Sequence, residues 1–399
     1  MRTNGFALFR GADGRAKAER AAERVQRYSK GILVCSGSDL EGLSPDSEGK
    51  DVHVIAYKLE GSPSLPLVHG FIDEQSGGSP VGEFALLRRE EGGLTASRDV
   101  LGTRPLYTDS IGSCVASDHR FFTETPRLLP NGARLDLGSM KLTTSTLSSG
   151  GEWLSIDECA EGVARILKES VAKRLKGRKK VAVSFSGGLD SSLIALLASR
   201  ETEVVLCSVN TPGSRDAEQA KVGAGALGLE LVEVTVDGTG MDRELQSLDL
   251  PFEPSPMDKA LWCIYSSTSR AAAENGAELI MLGQLADELF GGYMKYARAA
   301  KESEEAAAAM MLADVVASGE KAFVRDEEAC ARFTEVRFPF ADDKLASYAL
   351  AIPMGYKVAG GERKVVLRKA ALMLGLPDIL AAAPKKAAQY SSGVSKLVP

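Results

Sequence analysis

The chain has 399 residues, 44% hydrophobic, 26% charged and 6% aromatic. A single core rarely grows beyond roughly 250–300 residues, so two domains are expected. Its 48 basic residues against 54 acidic ones leave a formal charge of -6, with no basic excess for wrapping nucleic acid. The 40 glycines and 16 prolines are ordinary, which excludes collagen-like and disordered classes. No apolar run reaches the ~18 residues of a membrane span. The stretch Met1–Phe9 is too short in apolar residues for a signal peptide. The six cysteines (Cys35, Cys114, Cys159, Cys207, Cys263, Cys330) are scattered, with no C-x-x-C pair. They indicate a reducing, cytoplasmic setting rather than a disulfide framework or a zinc site. His53, His69 and His119 all lie in the first third, so the rest of the chain works without imidazole.

Short alternating runs fill the first third: Gly31–Cys35, Val52–Leu59, Glu83–Leu87, Leu94–Ser97 and Cys114–Ser117. Gly, Ser and Pro clusters separate them, which predicts a β-rich domain with one helix near Ala16–Tyr28. The small, polar stretch Thr143–Gly151 has the composition of a linker. Beyond Glu152 the texture changes. Helical spacing covers Ile156–Leu175, and the apolar run Val181–Phe185 suits a buried parallel strand. Helix at Ser192–Ser199, strand at Glu203–Val209, helix at Asp216–Leu227 and strand at Glu230–Val236 follow. This alternation predicts a parallel sheet covered by helices. A helix at Ala260–Asn275 and a strand at Glu278–Leu282 continue it, and the remainder reads as mostly helical. There are no internal repeats.

The strongest local signal joins the first of these strands to its helix: Ser186-Gly187-Gly188-Leu189-Asp190-Ser191-Ser192. Adjacent glycines let backbone N–H groups converge, the helix N-terminus adds partial positive charge, and serine hydroxyls add donors. That combination cradles phosphate. A carboxylate beside phosphate is repelled unless a cation bridges them, so Asp190 predicts Mg2+. No G-K-[ST] of the Walker type follows. A glycine turn before a capped helix is the plain alternative, and the complete string in its strand-to-helix context outweighs it. The string resembles the pyrophosphate loop of the ATP pyrophosphatases, which cleave ATP to AMP and pyrophosphate.

Further stretches narrow the resemblance. Leu282–Tyr293 (LGQLADELFGGY) follows a strand; Arg325-Asp326-Glu327 leads to Glu335–Phe340; Lys364–Arg368 precedes Gly375-Leu376-Pro377. In this order they resemble the C-terminal domain of the asparagine synthetase family. Arg98–Tyr107 (RDVLGTRPLY), Ala116-Ser117-Asp118 and Leu129–Gly132 resemble that family's N-terminal amidotransferase domain. The resemblance implies an α/β and α+β protein. Residues 1–145 would form a degenerate class II amidotransferase-like domain, an αββα sandwich of the Ntn type. Residues 152–399 would form a doubly wound parallel-sheet ATP pyrophosphatase domain with a helical extension. It further implies ATP and Mg2+ as cofactors and an ATP-dependent, AMP-forming carbon–nitrogen ligase that adenylates a carboxylate. Asp190 and Asp287 would hold the metal. The loop Ser186–Ser192, with Val209, Leu282 and Gly283, would bind the nucleotide. Lys364, Gln284 and Arg368 would be catalytic, Lys364 by neutralising charge that develops on pyrophosphate and on the tetrahedral intermediate. Without that context Lys364 reads as a solvated helix lysine, and Arg337 with Glu335 is equally readable as a structural ion pair.

Three departures stand beside the agreement. The family's glutaminase needs a cysteine as first mature residue, whereas Arg2 follows Met1, so glutaminase activity is expected to be absent, as in the similar β-lactam synthetases. Gln284 replaces a glutamate and cannot titrate, and Leu285 replaces a glycine. Pro254–Ala260 stands where Thr-Thr-x-Arg is expected, with Lys259 either replacing that arginine or exposed. The expected partners are therefore a small carboxylate and ammonia or an amine donor, with no membrane and no nucleic acid; homo-oligomerisation is left open. Ammonia-dependent asparagine synthetase proper is the nearest alternative. A tRNA-modifying pyrophosphate-loop enzyme is another, and it lacks relay cysteines and a broad basic face. The basic run Lys173–Lys180 reads as a solvated helix end, and Lys385–Gly393 either closes over phosphate or frays.

Overall fold

A computed structural model describes all residues except 1, 4, 12, 27–31, 37–51, 58–64, 74–79, 92, 149–154, 213–215, 384–391 and 399. Most of the tail at Lys385–Gly393 therefore lies outside the described residues, as does the end of the stretch Thr143–Gly151. The chain divides into two compact units: Met1–Thr146 with Gly319–Val324, and Leu147–Ser318 with Arg325–Pro399. The return of Gly319–Val324 to the first unit has no signature in the sequence.

The first unit contains β1 (Arg2–Thr3), β2 (Gly5–Arg10), α1 (Gly14–Val25), β3 (Ile32–Ser36), β4 (Val52–Tyr57), β5 (Leu67–Ile72) and β6 (Gly82–Glu90). It continues with β7 (Gly93–Arg98), β8 (Tyr107–Thr108), β9 (Cys114–Ala116), β10 (Arg127–Leu128), β11 (Ala133–Asp136) and β12 (Leu142–Thr144). They form two six-stranded sheets, ordered β1-β5-β6-β7-β11-β12 and β10-β8-β9-β2-β4-β3. Strand β2 shows how the layers arise. Phe6 and Leu8 enter the cluster shared by the two sheets, with Leu67, Leu87 and Ala96. Ala7 and Phe9 face the other way, onto Ala18, Ala21, Ala22 and Val25 of α1. Both faces are apolar, so β2 carries no polar alternation, and neither it nor β5 follows from period-2 patterning. The described residues of this unit place one helix layer on one sheet.

Arg98 and Asp99 tie the first unit's loops together. The Asp99 carboxylate accepts from the backbone N–H of Phe84 (3.3 Å), Leu101 (3.2 Å), Thr103 (3.0 Å) and Arg104 (3.2 Å), and from the Thr103 hydroxyl (2.9 Å). The Arg98 guanidinium donates to the carbonyls of Arg104 (2.8 Å), Leu129 (2.7 Å), Gly102 (2.8 Å) and Gly319 (2.5 Å). Burial pushes the Asp99 carboxyl up, against the pull of these hydrogen bonds and of Arg98. The arginine-aspartate stretch that resembles a catalytic domain is thus a backbone staple.

The second unit begins with α2 (Ile156–Leu175), β13 (Lys180–Ser184), α3 (Leu189–Ser199), β14 (Glu203–Asn210), α4 (Asp216–Leu227), β15 (Glu230–Thr235), α5 (Gly238–Leu245) and α6 (Pro256–Glu274). Then come β16 (Leu279–Met281), α7 (Ala286–Phe290), α8 (Met294–Glu302), α9 (Glu304–Ser318), α10 (Ala322–Ala331, of which the second unit takes Arg325 onward) and β17 (Glu335–Arg337). The last elements are α11 (Asp343–Ala351), α12 (Met354–Lys357), β18 (Val358–Ala359), β19 (Glu362–Arg363), α13 (Val365–Met373) and α14 (Asp378–Ala381). Five strands form one parallel sheet in the order β15-β14-β13-β16-β17. The sequence runs outward from β13 to β15, then resumes on the other side at β16. The crevice between β13 and β16 is where strand order reverses, the place where open α/β sheets bind ligands.

Local chemistry sets the element ends. The segment Pro254–Ala260 starts α6: the Ser255 hydroxyl accepts from the Asp258 N–H at 3.2 Å, and Asp258 returns a bond to the Ser255 N–H at 3.0 Å. Asp258 also pairs with Arg325 at 2.8 Å, while Lys259 is half-buried. Much of the basic run Lys173–Lys180 is matched by acids: Lys173 and Arg174 meet Asp342, Arg178 meets Glu335 at 2.7 Å, and Lys180 meets Glu203 at 2.8 Å, while Lys176 and Lys179 are exposed. The matched residues form structural ion pairs. The five cysteines described are free and buried, and no helix among the described residues is long and apolar enough to cross a membrane.

Two consequences are measurable. Asp99→Ala strands several buried N–H groups and the Thr103 hydroxyl, and lowers the first unit's stability by about 2–4 kcal/mol in denaturant titration. Lys357, at the end of α12, is 1% exposed, and burial brings its ammonium down to about 7. Its unfolded value is higher, so stability rises with pH from about 7 towards 10 as the penalty of charging it disappears. Lys357→Met removes that rise and is more stable than the parent at pH 7, as parallel thermal melts across pH will record.

Candidate active site

The loop after β13 is folded against α4 and onto its own helix. Gly187 has φ +68°, and a Cβ there would lie 2.4 Å from the Gln219 carbonyl oxygen. Gln219 Nε2 in turn donates to the Gly187 carbonyl at 3.2 Å. Only glycine fits this contact. The Ser186 hydroxyl accepts from the Gly188 N–H at 3.3 Å, and the Ser191 hydroxyl accepts from the Ser186 N–H at 3.3 Å. Leu189 is 6% exposed and anchors the start of α3. Ser192 is 0% exposed and its Oγ has no hydrogen-bond partner, so its hydroxyl belongs to the helix's buried face rather than to the loop opening.

Opposite it lies the loop after β16. The Leu282 N–H donates to the Arg337 carbonyl at 3.0 Å, which continues the β16–β17 pairing by one residue. At Gly283 a Cβ would meet the Asp190 Cβ at 3.2 Å, so the two loops touch here. Gln284 is half-buried, and Leu285 caps α7 in the left-handed region at φ 78°. Asp287 then falls in the first turn of α7.

Lys364 closes the arrangement. It is presented by the β18–β19 hairpin, whose two-residue turn, Gly360-Gly361, has φ 60° and 86° as a type I′ connection requires. Lys364 itself sits at φ 60°, ψ 33°, ahead of α13. Three non-glycine residues among those described have positive φ, and two of them, Leu285 and Lys364, are here. Such conformations cost on the order of 1–3 kcal/mol each and persist where the surroundings fix them. The Lys364 ammonium, 2% exposed, donates to both Asp190 carboxylate oxygens at 2.7 Å and pairs with Asp287 Oδ1 at 2.6 Å. Burial works against its charge, but the two carboxylates outweigh burial and hold its pKa above that of an ordinary lysine.

The group carries two carboxylates against one ammonium, a net negative charge at the mouth of a Gly-rich loop. Two convergent hard-oxygen donors suit a divalent ion such as Mg2+. Beside them Glu288 is 6% exposed and accepts from the Tyr293 hydroxyl at 2.9 Å. Burial, reinforced by the Asp287 charge, pushes Glu288 up to about 7.

Not every expected residue joins this group. Arg368 is turned to the chain: Nε donates to the Arg363 carbonyl at 3.0 Å, Nη1 to that of Ala381 and Nη2 to that of Ala383 at 3.1 Å. It ties α13 to the end of α14, and its donors are spent on the backbone. Val209, 5% exposed, packs with Val236, Met241 and Ile264. Arg337 and Glu335 form an ion pair, with Arg178 on the other carboxylate oxygen at 2.7 Å. Conversely, Gly292 and Arg363 belong to the site without having been singled out. A Cβ on Gly292 would lie 1.9 Å from Asp287 Oδ1 and 2.6 Å from Lys364 Cε. Arg363 Nη1 donates to the Gly292 carbonyl at 2.7 Å and fixes this turn. The Gly291-Gly292 pair after α7 was the available signal.

Comparison with known proteins gives a consistent picture. A family model described as asparagine synthase matches residues 162–328 and 303–397. A protein of Methanocaldococcus jannaschii named "Putative asparagine synthetase (glutamine-hydrolyzing) 1" is 29% identical over 382 residues, covering 79% of this chain and 69% of that protein. Asparagine synthetase B of Escherichia coli is 28% identical over 362 residues, covering 81% and 62%. Asparagine synthetase of Gallus gallus is 25% identical over 272 residues, covering 64% and 46%. The chain thus spans between under half and about two-thirds of the length of these relatives.

The glycine contacts make a graded prediction. Gly292→Ala collides with both Asp287 and Lys364 and lowers stability by about 1–3 kcal/mol in thermal melts. Gly283→Ala, whose added carbon meets only the Asp190 Cβ at 3.2 Å, has the smaller effect.

Proposed function

The chain belongs to the asparagine synthase family, and from that membership we propose that it is an ATP-dependent amide synthetase forming AMP and pyrophosphate. It adenylates a small carboxylate and passes the acyl group to ammonia or an amine. The observation that carries the reading is the Lys364 ammonium held between Asp190 and Asp287 beside the Gly-rich loop. In this reading the backbone N–H groups of Gly187, Leu189 and Asp190 and the Ser186 and Ser191 hydroxyls take the phosphates. Asp190 and Asp287 hold Mg2+, which supplies neutralisation of phosphate charge when bound. Lys364, already ion-paired and buried, stays protonated and offsets the negative charge that grows on pyrophosphate as the phosphoanhydride breaks. The left-handed backbone at Lys364 and Leu285 keeps both loops aimed at one point.

Gln284 orients rather than titrates, so a proton leaving the attacking amine goes elsewhere. The first unit acts as a degenerate amidotransferase-like module, residues 1–145, without glutaminase chemistry. Cys114, the cysteine of this unit whose side chain is described, is 4% exposed, and burial holds its thiol well above the usual range, which opposes use as a nucleophile. Ammonia-dependent asparagine synthesis is the narrower form of the same reading. Gln284 and the α6-capping segment Pro254–Ala260 favour a different carboxylate.

ATP–pyrophosphate exchange across a panel of acidic metabolites, with and without ammonia, tests this. Exchange that depends on one carboxylate is expected, and Lys364→Ala lowers it at least about 100-fold. Exchange with no carboxylate dependence, or an unaltered rate in Lys364→Ala, overturns the proposal. Aspartate with ammonia yielding asparagine selects the narrower form. Glutamine in place of ammonia is expected to release no glutamate.

A further inference from the structure

A cavity of about 340 Å³ opens in the first unit, at the side of α1, and its lining comes entirely from that unit. Lys17, Arg20 and Arg24 line one wall. Their spacing along α1 puts all three on one helix face. Phe9, Phe121, Phe122, Ile111 and Pro126 line it as well. Phe9 and Phe121 are 3% and 1% exposed and form the packed base, while half-buried Phe122 and Ile111, 76% exposed, offer the accessible apolar surface.

The cations are incompletely matched. Arg20 has no ion pair among the described residues. Arg24 Nη2 donates to the Phe121 carbonyl at 2.6 Å, while its Nε is buried with no hydrogen-bond partner. Lys17 pairs with the solvent-facing Asp13 at 3.1 Å. Two acids also line the cavity. Asp109 is occupied by the Ser113 hydroxyl at 2.5 Å and the Cys114 N–H at 3.3 Å, and Glu124 is exposed. Burial lowers the Arg24 pKa, and the neighbouring charge of Arg20 adds to this. A bound anion would relieve both effects.

We propose that this cavity binds a small phosphate monoester carrying an aromatic ring, the class to which mononucleotides belong. Two guanidiniums and an ammonium on one face match a doubly charged phosphate better than a singly charged carboxylate. The accessible apolar side, Phe122 with Ile111, takes the ring, and the cavity lies at the small end of the usual range for ligand sites. The site is made of residues separate from Lys364, Asp190 and Asp287, and it stands whether or not the amide-synthetase reading does.

Calorimetric titration of the full chain with phenyl phosphate is the test, with inorganic phosphate and benzoate as companion probes. Saturable binding of phenyl phosphate is expected, tighter than either companion. The double variant Lys17→Ala, Arg20→Ala removes two solvent-accessible cations and keeps Arg24 on its carbonyl. It should weaken binding about tenfold at unchanged Tm. Asp190→Ala should leave it unaltered. The proposal falls if phenyl phosphate shows no saturable binding at millimolar concentration, or if the double variant binds as well as the parent. It also falls if Asp190→Ala abolishes binding, or if inorganic phosphate or benzoate binds equally well.

Discussion

One ammonium between two carboxylates organises the second unit. Lys364 is 2% exposed as a side chain, and a buried charge persists only where opposite charges meet it. Asp190 and Asp287 come from loops after two different strands, β13 and β16, and Lys364 comes from a hairpin beyond both. The parallel sheet brings the two carboxylates together because its strand order reverses between those strands. The lysine in turn is held in a left-handed conformation that only its surroundings can stabilise. Gly283 and Gly292 are the spaces this convergence needs, one between the loops and one under the ion pair.

Buried charge is used in a second way in the first unit. Arg98 and Asp99 are fully enclosed, but their partners are backbone carbonyls and N–H groups rather than oppositely charged side chains alone. That arrangement fixes loops and leaves little for a ligand. At Lys364 the partners are the side-chain carboxylates of Asp190 and Asp287. The same residue types thus staple backbone in one place and pair with each other in the other, and the difference lies in what satisfies them.

The legible parts of the site were local ones. The string Ser186–Ser192 carries its own geometry: glycines at a strand–helix junction, with Asp190 in the first turn. Helices α2 and α4 were legible to the residue because their period and ends are coded nearby. Strand β2 was hidden because both its faces are buried, so it lacks the alternation that marks a strand. Ser192 and Arg368 matched a pattern but point elsewhere, one into the helix's packed face and the other onto carbonyls of the chain's end. A sequence states which donor a side chain carries, not which acceptor lies within 3 Å of it.

The sequence by itself determined the β-rich and α/β textures, the phosphate-type loop after β13, and the presence of Asp190, Asp287 and Lys364 in motifs of recognisable order. Each is encoded within a few residues, by period, by glycine placement or by residue chemistry. Tertiary structure alone decided that Lys364 lies between the two carboxylates, that Gly292 must stay bare beneath them, that Arg368 is a tie, and that three cations of α1 line one cavity together with apolar residues. Those facts depend on distances between segments far apart in the chain. Such distances are set by how sheets order and helices pack, which no local pattern records.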